Sequence, residues 1–226
     1  MRVMEREFGF FKYRFGDANV HAIAMGMLLQ PNEVGVWGNL PYAHNTNDMK
    51  LYPPYHWESE CMANNTSSQN GIPPNLFFTH KFNILEKREP VHFYNNVKNT
   101  INIYKNAAKD KIVRVYFLTD SDCRAVTQRV EPNLVPHFDR ERRGRYKADI
   151  CRIAALFEKG GYYFDIDLQA ISAVQLPNHI GFVTSHEFSK NGFFQAFLAA
   201  KPHHPILKQA LNKMLDHYEG HLKLHS

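Results

Sequence analysis

Two aspartates separated by one isoleucine, Asp165 and Asp167, close the apolar run "GGYYFDID". Two carboxylates at the rim of an apolar core repel one another, and one would take up a proton unless a partner holds both charges. A divalent cation is such a partner. Carboxylate oxygens suit Mg²⁺ or Mn²⁺, and a site with one or two carboxylates leaves the remaining positions to water and substrate phosphates. A second apolar run, "KIVRVYFLTDSD", meets Asp120 and Asp122 in the same way. The third group lies upstream of the D-x-D. At 100° per residue, Ile150, Ile153, Ala154, Leu156 and Phe157 form one apolar arc, with Asp149 inside it and Arg152 at its edge. A carboxylate and a guanidinium on a face that packs against other elements are costly unless they pair or bind something. The i, i+3 spacing permits a purely structural ion pair, so both readings stay open at this point.

Alternating elements must position these groups. The sequence predicts a strand over Leu76–Thr79, then a helix after Pro90 that places Val97, Ile101, Tyr104 and Ala108 on one face. "KIVRVYFL" reads as a second strand, and Arg145–Lys159 as a helix closed by Gly160 and Gly161. Tyr162–Ile166 is expected to be a third strand whose two-residue period points Asp165 and Asp167 to the side of Tyr163. "IGFVTSHEF" is a fourth strand, and Pro205 opens a last helix with Leu207, Ala210, Leu211, Met214 and Tyr218 as its apolar face. The pattern predicts an α/β domain over residues 71–226, with a mostly parallel sheet flanked by helices. In such sheets ligands bind beyond the carboxyl ends of the strands, where the aspartates fall. Residues 1–70 read as an irregular N-terminal extension of unknown role, in which Val20–Pro31 forms a buried helix or strand.

Composition narrows the class. The chain has 226 residues, of which 44% are hydrophobic, enough for a real core, and its net charge is +5. That mild excess lacks the Lys/Arg density of a nucleic-acid arm, so nucleic acid is not expected as a partner. Val20–Pro31 is about half the roughly 20 residues of a membrane-spanning helix, so no transmembrane segment is expected. Cys61, Cys123 and Cys151 form no CxxC pair, which argues against a zinc ribbon and leaves room for one disulfide. Asn64 and Asn65 each begin an N-x-[ST] tripeptide. The basic stretch "RERRGRYK", Arg140–Lys147, reads either as a solvated loop or as a guide for an anionic ligand.

The stretch "RGRYKADICRIAALFEKGGYYFDIDLQAI" resembles the D-x-D sugar-binding region of glycosyltransferase family 32. The matching elements are an Ala-Asp, an Arg three residues later, an aliphatic helix, Gly-Gly, an aromatic residue and the D-x-D. "IPPNLFFTHK" resembles the family's opening strand, with Phe77 where a histidine is common, and "FLAAKPHHPIL" its later Pro-x-His-Pro segment, with Gln195 where the family usually shows Asn. The likeness runs from about Ile72 to the C-terminus.

The resemblance implies a GT-A fold and transfer of a hexose or N-acetylhexosamine from a nucleoside diphosphate sugar to a glycan or glycolipid acceptor, with retention at the anomeric carbon. Carried over by position, Asp165 and Asp167 would hold Mn²⁺ or Mg²⁺. Asp165 would also lie near the ribose or sugar, Asp149 would accept hydrogen bonds from the donor sugar, and Arg152 would lie by the sugar and the bridging phosphate oxygen. No catalytic base or nucleophile is assigned. The Golgi lumen is the location the resemblance implies.

Two other readings remain at this level. One is a catalytically silent domain that keeps the fold and binds the nucleotide sugar, or a domain truncated at its C-terminus. The chain stops at "HYEGHLKLHS", where a further metal ligand or acceptor element often follows in GT-A enzymes, and His217, His221 or His225 could stand in for the ligand. The other is a haloacid-dehalogenase-type phosphatase with Asp165 as nucleophile, although Gln169 stands where those proteins usually show Thr or Val.

Overall fold

A computed structural model describes residues 35–37, 42–44, 71–108, 111–174, 176–186 and 193–221. The expected element at Val20–Pro31, the tripeptides at Asn64 and Asn65, and His225 lie outside the described residues.

The elements in chain order are β1 (Gly35–Trp37), β2 (Tyr42–His44), β3 (Asn75–Thr79), α1 (Ile84–Lys87), α2 (Val91–Ala107), β4 (Arg114–Leu118), α3 (Asp120–Val130), α4 (Val135–Arg140), α5 (Gly144–Lys159), β5 (Gly161–Phe164), β6 (Leu168–Ala170), β7 (Phe182–His186), β8 (Phe193–Ala200) and α6 (Pro205–Tyr218). Six strands form one sheet in the order β1-β7-β8-β5-β3-β4, and β2 pairs with β6 in a separate ribbon. The pairs β1–β7, β3–β4 and β3–β5 are parallel. Both pairs of β8, with β5 and β7, are antiparallel. The expected mixed α/β layout with a largely parallel sheet is therefore present, with β8 as a reversed strand that the sequence reading did not anticipate. β1 and β2 lie in the stretch read as irregular, and each adds a short edge strand.

The core has two halves because the sheet is covered on both sides. Phe77, Tyr163 and Leu198 turn toward α3, α5 and α6, which contribute Val126, Ile153, Leu156, Leu207 and Leu211. Leu76, Phe78, Tyr162, Phe164 and Phe197 turn the other way, toward Val97, Ile101 and Tyr104 of α2. All five residues of β3 are buried, as a central strand with two covered faces requires.

The Gly160-Gly161 pair makes the turn from α5 into β5 tight enough to matter. Their φ values are +61° and +135°, and a Cβ on Gly161 would stand 2.4 Å from the Asn75 carbonyl oxygen. Asn75 fixes the turn from the neighbouring strand, its Nδ2 donating to the Gly160 carbonyl at 3.0 Å and to that of Lys159 at 3.2 Å. The helix end and the strand that follows are thereby set relative to β3. A disulfide between Cys123 and Cys151 ties α3 to α5 on the same face.

Candidate functional site

α5 precedes β5 and packs against the sheet, so its N-terminal half lies at the edge where β3, β4 and β5 end. On its inner face Asp149 is 2% exposed and Arg152 3%. The two side chains form the ion pair that their i, i+3 spacing permits, Arg152 Nη2 donating to Asp149 Oδ1. Arg152 reaches further than that pair. Its Nη1 donates to the Gln195 carbonyl at 2.7 Å, its guanidinium lies 5.0 Å from the Tyr163 ring centroid, and Nη1 is 3.8 Å from Asp165 Oδ1. A buried cation held by a carboxylate, a carbonyl and an aromatic face has most of its desolvation offset, and it stays aimed at the D-x-D.

β5 ends at Phe164, one residue before the D-x-D. Strand alternation therefore does not carry through to Asp167. A turn takes over, with the Leu168 amide donating to the Asp165 carbonyl at 3.1 Å, while the Asp165 amide still bonds the Ala196 carbonyl of β8 at 2.8 Å. Asp165 and Asp167 are both half-buried on this turn. The side of the sheet on which Asp165 stands is fixed by a hydrogen bond instead of by the pleat: the Tyr163 hydroxyl donates to Asp165 Oδ1 at 2.6 Å. That hydroxyl also meets Thr79 Oγ1 of β3 at 3.1 Å. Burial, with the nearby Asp165 charge second, raises the Tyr163 phenol well above its ordinary value, so it remains protonated and a donor.

Asp165 and Asp167 are the carboxylates that would hold a metal, and one Asp165 oxygen is already engaged by Tyr163. Among the described residues there is no cluster of three or more His, Cys, Asp or Glu able to enclose a metal. This donor set fits a hard divalent cation whose coordination is completed by water and a diphosphate, and it does not fit a closed structural zinc site.

The other candidates separate clearly. Asp120 and Asp122 open α3: the Thr119 amide donates to Asp122 Oδ2 at 2.9 Å in a capping box, and Asp120 pairs with Lys147 Nζ at 3.0 Å. They are helix-start residues, and the sequence signal for this was the T-x-x-D spacing. Phe77, at the position where a histidine is common, is buried and stacks on Tyr116 at 4.9 Å. His204 caps α6, accepting from the Ile206 amide at 3.4 Å, as a helix-entry turn requires. His221 meets Glu219 at 3.3 Å. Gln195 carries more than its sequence position suggested. It is 7% exposed, its carbonyl holds Arg152, and neither atom of its side-chain amide has a hydrogen-bond partner among the described residues. Leaving such a group unsatisfied costs about 1–3 kcal/mol, so a ligand or water bonded there would be favoured.

The fold and the site define an α/β domain that presents a D-x-D turn, backed by a buried Asp–Arg pair, at the carboxyl edge of its sheet. Residues 55–184, more than half of the chain, match the family described as "Glycosyltransferase sugar-binding region containing DXD motif", and the chain belongs to that family. It is also similar to the human alpha-1,4-N-acetylglucosaminyltransferase, with 34% identity over 73 residues, which is 32% of this chain and 20% of the relative. The chain thus spans about a fifth of that relative's length. The family match begins at residue 55, inside the stretch read as an extension.

Proposed function

We propose that this chain transfers a sugar from a nucleoside diphosphate donor to a glycan or glycolipid acceptor, in a metal-dependent reaction that retains the anomeric configuration. The observation that carries the reading is the contact network from Asp149 through Arg152 to Asp165, which joins a buried helix face to the D-x-D turn. Asp165 and Asp167 would hold Mn²⁺ or Mg²⁺, and the bound ion would neutralise charge on the leaving diphosphate. Arg152 supplies a fixed positive charge beside it, worth most because the guanidinium is buried and already held in place. Asp149 offers an acceptor to donor-sugar hydroxyls. Tyr163 keeps Asp165 in place from below.

The name of the human relative puts N-acetylglucosamine first among the donor sugars to test. The lumen of the secretory pathway, and the Golgi within it, fits a chain with a Cys123–Cys151 disulfide, since disulfides persist where the compartment is oxidising. No helix among the described residues is long and apolar enough to cross a membrane.

The deciding experiment is a hydrolysis and binding screen over UDP- and GDP-linked sugars, with and without Mn²⁺. Metal-dependent turnover of one donor is the expected result. Nucleotide binding without turnover, with or without an acceptor, would favour the silent binding domain, and no binding of any donor would remove the reading.

A further inference from the structure

The D-x-D turn is gripped from both sides of the sheet, and the second grip comes from α2. On the α5 side, Tyr163 and Arg152 reach Asp165. On the other side the contact runs through the residue between the two aspartates. The Ile166 side chain packs against the half of the core that holds Val97, Ile101 and Tyr104 of α2. Its carbonyl accepts from Asn96 Nδ2, on the same helix, at 3.3 Å.

Two further side chains of α2 continue the row. Asn99 Nδ2 donates to the Ala170 carbonyl at 2.9 Å, and the Tyr104 hydroxyl accepts from the Val174 amide at 3.1 Å. Successive positions along the helix thus meet successive positions of the chain that leaves the turn. Asparagine is a poorer helix former than alanine, because its amide competes for backbone partners. In α2 that amide is directed at a neighbouring segment instead.

The place of the Asn96 bond is what ties it to the site. The Ile166 carbonyl belongs to the peptide unit that leads into Asp167, and a peptide unit is planar, so fixing its oxygen fixes the direction in which the chain enters Asp167. The other backbone bonds of the turn, from the Asp165 amide to the Ala196 carbonyl and from the Leu168 amide to the Asp165 carbonyl, bracket that unit. Two carboxylates share a small divalent cation only if an oxygen of each comes within about 2.1 Å of it. A rotation of the Ile166–Asp167 peptide would leave Asp165 on Tyr163 and swing Asp167 away.

Resting on the sugar-transfer reading, in which Asp165 and Asp167 hold a divalent cation, we infer that Asn96 is a positioning residue of the metal site. Through the Ile166 carbonyl it sets the spacing of the two carboxylates, and the Ile166 side chain, packed on the same side, keeps the turn from sliding. Asn99 anchors β6 and stands outside this role.

Mn²⁺ binding tests this apart from turnover. The whole chain is titrated with Mn²⁺ alone, with UDP and with GDP, and free metal is read by electron paramagnetic resonance. Outer partners that orient metal ligands change affinity by about 10–100-fold, so Asn96→Ala should bind Mn²⁺ about tenfold more weakly. Asn99→Ala removes the same kind of bond one turn further along the helix and should stay close to the wild type. Both variants are expected to fold, since alanine is the better helix former. In the metal-free chain, hydrogen exchange over residues 165–168 should quicken in Asn96→Ala and not in Asn99→Ala. Wild-type Mn²⁺ affinity in Asn96→Ala would overturn the inference, and so would an equal loss in both variants, which would make α2 a general support. If the two variants differ as expected in Mn²⁺ binding but neither nucleotide binds, the transferase reading fails and Asn96 keeps its role. If metal and nucleotide bind the wild type and Asn96→Ala alike, the inference alone fails. A wild type that takes up no Mn²⁺ under any of these conditions removes both.

Discussion

At the scale of single residues, the site depends on what holds each carboxylate. Asp165 has one oxygen engaged by Tyr163 and 33% of its side chain exposed, while Asp149 is buried against Arg152. Asp167 is half-buried on the turn that follows β5. Asp167→Asn keeps the size of the side chain and removes its charge, and is expected to abolish Mn²⁺-dependent donor binding while leaving the chain folded, measured by titrating donor with and without metal. Unchanged donor affinity would sink the metal role. Tyr163→Phe tests the support beneath Asp165. It deletes a buried hydroxyl that serves both Asp165 and Thr79, and should destabilise the fold by about 1–2 kcal/mol, read by denaturant unfolding. Its donor affinity should also fall. A variant that loses stability but keeps full donor affinity would show that Tyr163 is only a core residue.

At the scale of elements, local pattern was legible wherever it repeated within one segment. The arc of α5 placed Asp149 and Arg152 on the buried face, and the Gly-Gly pair closed the helix where expected. Elements without their own period escaped. α3, "DSDCRAVTQRV", is mostly polar and is held by its capping box and by Cys123 and Val126, so the apolar signal was too thin to announce a helix. β8, "FFQAFLAA", is almost uniformly apolar along its described residues because both of its faces are covered, and alternation is invisible there. The turn at Asp165–Leu168 likewise follows from pairing with β8, a contact more than thirty residues away in the chain. The link between α3 and α5 leads to a prediction. Cys123 and Cys151 are 28 residues apart, so closing that loop restricts the unfolded chain by about 3.5 kcal/mol. Replacing both with alanine should lower stability by about that amount, less any relief of the native state, and should loosen the helix that carries Asp149 and Arg152. Denaturant unfolding of the double variant checks the first part, and donor affinity the second.

At the scale of the whole molecule, the groups that the fold perturbs in the acidic and neutral range act in the same direction with pH. Burial lowers His80, His137 and His217 below the usual histidine value of 6.5. Their neutral form is the one the folded chain accommodates, so the unfolded chain takes up protons first as the pH falls. Stability from these groups is complete above about pH 6.5 and declines on acidification. Glu158 follows the same sign for a different reason: the hydrogen bond from Arg129 depresses its carboxyl, with the Arg129 and Lys159 charges adding to the effect. Its contribution is present above about pH 4.5 and is lost as the pH falls through the folded value. The Tyr162 and Tyr163 phenols, both raised by burial, stay protonated across this range, with Tyr162 pushed up to about 12. The melting temperature is therefore expected to be level just above neutrality, to fall first as the histidines of the unfolded chain charge, and to fall again in the carboxylate range. His217→Asn should flatten part of the first decline and leave the second, and Glu158→Gln the reverse. Thermal melts of the three proteins across the pH series decide it, and a wild type that gains stability between neutrality and pH 5.5 would contradict the sign of both effects.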